Sequence, residues 1–89
     1  MIKTLALELA PQGIKVNALS PGFVATRMTY QNNSTETIDK IKSRIPLGEL
    51  AKPEEIANVA LFLCSKSNTY ITGQTIIVDG GYTIGGFEE

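Results

Sequence analysis

The sequence predicts an α/β fold, an open parallel sheet of which these 89 residues carry two strands and the helices that flank them. Ile14 to Leu19 alternates at period two and runs into Ser20-Pro21-Gly22, which reads as one strand and its exit. Ile76-Ile77-Val78, preceded by Gly73 and closed by Asp79-Gly80-Gly81, reads as a second strand covered on both faces, as in a parallel sheet. Between them lies a long connection with a helix that starts at Lys52-Pro53-Glu54-Glu55. Strand, helical connection and strand make a βαβ unit, wound right-handed by the usual rule.

The elements follow in order. Met1 to Ala10 has Ile2, Leu5 and Leu9 on one face with Ala6 and Ala10 beside them, an amphipathic helix that Pro11 stops and Gly13 turns. No capping residue precedes it, so more chain is expected upstream. In the strand, Ile14, Val16 and Ala18 share one face, and Lys15, Asn17 and Leu19 the other. Asn17 reads as a residue that bonds backbone rather than ligand. Pro21 is expected to end the ladder, and Gly22 to let backbone approach a ligand closely. The carboxyl end of a strand is where ligands sit in open α/β sheets.

After Thr26 the sequence turns polar. Gln31, Asn32, Asn33, Ser34 and Thr35 read as a loop, with Ser34 or Thr35 as N-cap of a helix that sets Ile38, Ile41 and Ile45 against Asp39, Lys40, Lys42 and Arg44. Pro46 and Gly48 close that helix. Hanging directly after the strand end, this excursion reads equally as a substrate lid or as a surface connection. From Ile56 to Cys64 only Asn58 is polar, so the next helix must be buried on more than one side, with Cys64 as packing. Gln74 to Val78 is the second strand, and Tyr70 and Tyr82 read as anchors of strand ends. Two strands do not close a sheet, so further strands are expected from elsewhere.

The totals exclude several classes. The length allows one small domain, and the net charge of −1 gives no reason to expect nucleic acid or an anionic membrane as partner. Cys64 is the only cysteine, so no internal disulfide forms and a reducing compartment, the cytoplasm, is the simpler expectation. There is no signal-peptide pattern, and no apolar run approaches the roughly 20 residues of a spanning helix. With no histidine, neither a His-based triad nor a Cys-His pair can be drawn, and no metal-binding set is expected. No Walker-type or G-x-G-x-x-G phosphate loop is present; Gly80, Gly81, Gly85 and Gly86 lie beyond the last strand. The acid pairs Glu54-Glu55 and Glu88-Glu89 sit at a helix start and a terminus, where solvation accounts for them.

VNALSPGFVAT, PEEIANVALFL and TGQTIIVDGG, in this order, resemble the carboxy-terminal third of a short-chain dehydrogenase/reductase, in the subgroup of 3-oxoacyl-carrier-protein reductases and glucose or polyol dehydrogenases. The resemblance implies an incomplete Rossmann-type, doubly wound sheet, with residues 1–89 as the last part of one domain and 27–50 as its variable substrate loop. It implies NAD or NADP as cofactor, hydride transfer to or from an alcohol or ketone, and homo-oligomers formed through 53–65 and 74–78. Pro21, Gly22, Val24 and Thr26 match the loop against the nicotinamide, with backbone groups of Val24 and the Thr26 hydroxyl on the carboxamide. The plainer alternative makes Pro21-Gly22 a sharp exit and Thr26 a helix cap. Arg27, Met28 and Tyr30 are candidate substrate contacts.

One departure is decisive. The family's catalytic set is Asn, Ser and Tyr-x-x-x-Lys, but Tyr30, Tyr70 and Tyr82 are followed four residues on by Ser34, Gln74 and Gly86. No catalytic residue is therefore assigned to this chain, and the resemblance puts the pair upstream of Met1. The expectation is a piece of an NAD(P)-dependent oxidoreductase, inactive by itself. The alternatives are a short non-catalytic relative that associates with a full-length one, and an unrelated α/β binding module.

Overall fold

The computed structural model describes residues 1–84. Gly85, Gly86, Glu88 and Glu89 lie outside the described residues. Helix α1 spans Ile2–Leu9, and a 3-10 turn follows over Ala10–Gln12 with Pro11 near its start. The expected α-helix through Ala10 tightens there because proline brings no N–H for another α-type bond. Gly13, at φ 78°, makes the left-handed turn out.

Strands β1 (Ala18–Pro21) and β2 (Thr75–Val78) pair in parallel, Ala18 opposite Thr75 and Pro21 opposite Val78. The ladder starts later than the alternation of Ile14 to Leu19 predicts. Upstream of Ala18 the two segments are held by mixed bonds: Val16 N donates to Thr72 Oγ1 (2.9 Å), Gly73 N to Val16 O (2.7 Å), and Gln74 N to Asn17 Oδ1 (3.1 Å). Asn17 Nδ2 donates to Ile71 O at 3.0 Å, the backbone-bonding role expected of it. Nor does Pro21 end the ladder; it is its last member. Ala18 N and Gly22 N donate to Gln74 O and Val78 O, so by alternation the Pro21 nitrogen faces away from β2 and costs no bond.

The excursion after β1 is more structured than its polar composition predicts. Arg27–Asn32 forms helix α2, capped by Thr26 as the plainer alternative has it, and it runs into the Gln31 and Asn32 positions expected to open the loop. Helix α3 covers Thr35–Ser43 with Ser34 as its cap, Thr37 N donating to Ser34 Oγ at 3.1 Å. Ile38, Ile45 and Leu50 are buried together, with Ala25, Ile41 and Tyr82 against them. A single parallel bridge, Val24 to Ala51, closes the base of the excursion.

Helix α4 (Pro53–Leu63) has Pro53 at its first position, and the Glu55 carboxylate accepts from Lys52 N at 2.7 Å. The burial expected for it is not supplied by this chain: none of its residues is buried, Leu61 is 68 % exposed, and Cys64 is exposed as well. Likewise β2 is not covered on both faces, since Ile77 is 55 % exposed. Tyr70 is 96 % exposed, so its ring anchors no strand end among the described residues, whereas Tyr82 packs after β2 as expected. The molecule is extended, with a radius of gyration of 15.9 Å where a compact chain of this length has roughly 12 Å. Its surface is 6616 Å², against about 5,100 Å² for a compact chain of this mass. Apolar faces that pattern for burial therefore stand uncovered.

Among the described residues, one polar residue is fully interior. Asn68, 1 % exposed, donates to Leu63 O and Ile71 O and accepts from Tyr70 N and Ile71 N, tying the end of α4 to the segment entering β2. Asn68→Ala leaves buried backbone groups unpaired and should cost about 1–3 kcal/mol. The check is a lower urea midpoint with the slope unchanged.

Candidate functional site

The two strands leave the sheet side by side. Gly22 N donates to Val78 O at 2.9 Å, and a Cβ built on Gly22 would lie 2.7 Å from Asp79 Cβ and 2.9 Å from Asp79 Cα. Only a residue without a side chain lets the chain ends pass this closely. The Asp79 carboxylate then folds back over its own turn. Its Oδ1 accepts from Gly81 N and its Oδ2 from Thr83 N, both at 3.0 Å. A hydrogen bond from the Thr83 side chain is the main cause that holds the Asp79 pKa below its ordinary 3.8, with the Thr83 and Gly81 N–H groups adding to it against partial desolvation.

Beyond Gly22 the chain pairs with Ala51. Ala51 N donates to Phe23 O (2.9 Å) and Ala25 N to Ala51 O (2.8 Å), so the N–H and C=O of Val24 lie on the opposite side. On that side the Val24 carbonyl accepts from Thr26 N at 3.0 Å and from Thr29 Oγ1 at 2.7 Å. Thr29 Oγ1 gives its one proton to Val24, so in its 3.0 Å contact with Thr26 Oγ1 it is the acceptor. Thr26 Oγ1 also accepts from Thr29 N at 3.2 Å, which leaves it one acceptor lone pair and no free proton.

Two open hollows meet at an edge-to-face aromatic pair, Phe23 and Tyr82, whose ring centroids are 5.2 Å apart at 81°. One, about 310 Å³, lies at the carboxyl ends of the strands between Ser20-Pro21-Gly22-Phe23 and Ile77, Asp79, Tyr82 and Thr83. The other, about 270 Å³, lies under α3, lined by Thr37, Lys40, Ile41 and Arg44 with the same two rings.

The expected site residues divide accordingly. Pro21 and Gly22 line the strand-end hollow. Val24 and Thr26 stand on the adjoining loop, where Thr26 is also the helix cap of the plainer alternative. Arg27, Met28 and Tyr30 are exposed on α2 and line neither hollow. Phe23, Asp79, Tyr82 and Thr29 are not legible as site residues in the sequence; Thr29, three positions after a capping threonine, carries a usable signal in that spacing. Among the described residues no group of three His, Cys, Asp or Glu stands close enough to hold a metal, and no helix is long and apolar enough to cross a membrane.

A family model described as enoyl-(acyl carrier protein) reductase matches residues 1–83. The chain belongs to the short-chain dehydrogenase/reductase family. It is 54 % identical over 79 residues to a 3-oxoacyl-[acyl-carrier-protein] reductase of Aquifex aeolicus, covering 89 % of this chain and 32 % of that one. It is 43 % identical over 84 residues to glucose 1-dehydrogenase 2 of Bacillus subtilis, covering 94 % of this chain and 33 % of that one. Among solved structures, the TT0495 protein of Thermus thermophilus superposes with a TM-score of 0.81 at 46 % identity, over 92 % of this chain and 35 % of that one. YwfH, an NADPH-dependent reductase involved in bacilysin biosynthesis, superposes at 0.83 with 37 % identity, over 94 % of this chain and 35 % of that one. The paired strands and flanking helices are thus part of a Rossmann-type fold. The chain spans about a third of the length of the curated relatives it matches.

The Asp79 turn makes a pH prediction. Its folded-state pKa lies below the unfolded one, so its contribution is fully present above 3.8 and is lost as pH falls through the lower folded value. The carboxyl carbon of Asp79 should titrate with a midpoint below 3.8 by NMR. Asp79→Asn should flatten the acid limb of the stability profile, and an unshifted midpoint would refute this account of the turn.

Proposed function

We propose that these residues form the nicotinamide-facing wall and the substrate lid of an NAD(P)-dependent oxidoreductase acting on an alcohol or ketone, and are inactive by themselves. The chief support is the pair of polar groups on the strand-exit loop. A carboxamide presents one carbonyl acceptor and one NH₂ donor. The Val24 N–H, turned away from the Ala51 bridge, suits the first, and the remaining lone pair of Thr26 Oγ1 suits the second. The residues present therefore fit a nicotinamide carboxamide, and its orientation sets which ring face meets a substrate. Bound there, the cofactor supplies the hydride chemistry, and the chain supplies position.

Pro21 and Gly22 lead the chain from the strand end into this loop, and capping of α2 holds Thr26 in one place. Arg27, Met28 and Tyr30 are proposed as substrate contacts on the lid, and residues 27–50 as the lid itself. The apolar Leu61, Phe62 and Ile77, exposed in this chain, support subunit contacts through 53–65 and 74–78. The activities of the relatives, 3-oxoacyl-[acyl-carrier-protein] reductase and glucose 1-dehydrogenase, support the reaction class. An exposed, unpaired Cys64 fits a reducing compartment such as the cytoplasm.

The sequence holds neither a Tyr-x-x-x-Lys pair nor a glycine-rich phosphate loop. The purified 89-residue chain should therefore show no thermal shift with NADH, because it carries no glycine-rich loop to hold the adenosine diphosphate half and a ligand stabilises only what it binds. A shift at micromolar NADH, or turnover of any alcohol, would contradict this assignment.

A further inference from the structure

We propose that the hollow under α3 is a subsite for a carboxylate at the far end of the substrate, which rests on the oxidoreductase reading and narrows its substrate class. Lys40 and Arg44 are one helical turn apart at the end of α3 and line the same hollow, with Thr37 earlier on the helix. Among the described residues neither cation has an ion-pair partner; the one salt bridge there joins Lys42 to Glu49. Lys42, on the same helix, does not line the hollow, so the charges that do are not the ones already neutralised.

The rest of the lining is apolar. Ile41, Phe23 and Tyr82 form walls that suit an alkyl segment, while a hydroxyl and two cations stand on the α3 side. A guanidinium takes a carboxylate through two parallel N–H bonds, and a lysine adds a point charge. At about 270 Å³ the hollow is smaller than the roughly 300–1,000 Å³ of whole-ligand pockets, so it suits the end of a molecule. Phe23 follows Pro21-Gly22 directly, and the same ring closes the strand-end hollow. A ligand crossing the Phe23–Tyr82 pair would keep its carbonyl on the strand-end side and its charge under α3.

The test is binding to the complete oxidoreductase, measured by ligand-observed NMR with levulinate and with methyl levulinate, which differ in charge but share a ketone. Levulinate should bind about tenfold more tightly at low salt, from two exposed ion pairs. The difference should shrink as salt rises. The double variant Lys40→Met, Arg44→Met should bring both ligands to similar affinity while circular dichroism stays unchanged. Equal affinities in the unaltered protein, no levulinate binding, or a preference that survives the double variant would overturn the subsite. Calorimetry with NAD(P)H on the same preparation separates the two claims: absence of dinucleotide binding would sink the oxidoreductase reading itself.

Discussion

Two backbones pass at Gly22 and Asp79 with no room for a side chain between them, and the rest of the structure depends on that passage. A Cβ at position 22 would meet Asp79 atoms at 2.7 and 2.9 Å, closer than real Cβ atoms approach. Because β1 and β2 leave the sheet this close together, Phe23 and Tyr82 meet edge to face. The turn after β2 is then capped by Asp79 from within, through Gly81 and Thr83. The nicotinamide-side loop proposed above and the turn that follows β2 are one assembly.

The excursion over residues 27–50 is built onto that assembly. Leu47 N donates to Gly80 O at 3.1 Å, and a Cβ on Gly80 would lie 2.8 Å from Ile45 Cγ2. Gly80 holds φ at 65°, a conformation that side chains resist, so both its backbone and its bareness are required. Ile38, Ile45 and Leu50 give the excursion a small core of its own, and the Val24–Ala51 bridge fixes where it begins and ends. The α4 and β2 faces are different in kind. There Leu61, Phe62 and Ile77 stand exposed, and the helix that carries two of them has no fully buried residue, only the half-buried Ile56, Val59 and Leu63.

How much of this is legible in the sequence depends on which interactions carry each element. A cap at Ser34 or Thr35, Pro53 at the start of α4 and the parallel partnership of the two strands follow from local chemistry and apolar pattern, and all three are present, the cap being Ser34. Alternation misplaces the strand start because it records side-chain faces, whereas a ladder is defined by backbone bonds. Between Val16 and Gln74 those bonds go through Thr72 Oγ1 and Asn17. Helix α2 has too few turns and too little apolar period to show, and only the spacing of Thr26 and Thr29 marks it. The apolar pattern of α4 states a need for burial, not its supply, since a pattern says what must be covered and not what covers it. Of the site, Pro21 and Gly22 are readable from the strand exit they form, whereas Val24 and Thr26 are readable only through family resemblance. The aromatic pair joins residues far apart in sequence, and the Asp79 turn depends on how β2 leaves the sheet, which no local pattern reports.

The central claim is that residues 21–26 face the nicotinamide. A crystal structure of the complete protein with a nicotinamide dinucleotide bound tests it most directly. The account predicts the carboxamide oxygen within hydrogen-bonding distance of Val24 N and the carboxamide nitrogen within that of Thr26 Oγ1. A ring seated away from this loop, or a carboxamide turned so that its nitrogen faces Val24 N, would contradict it.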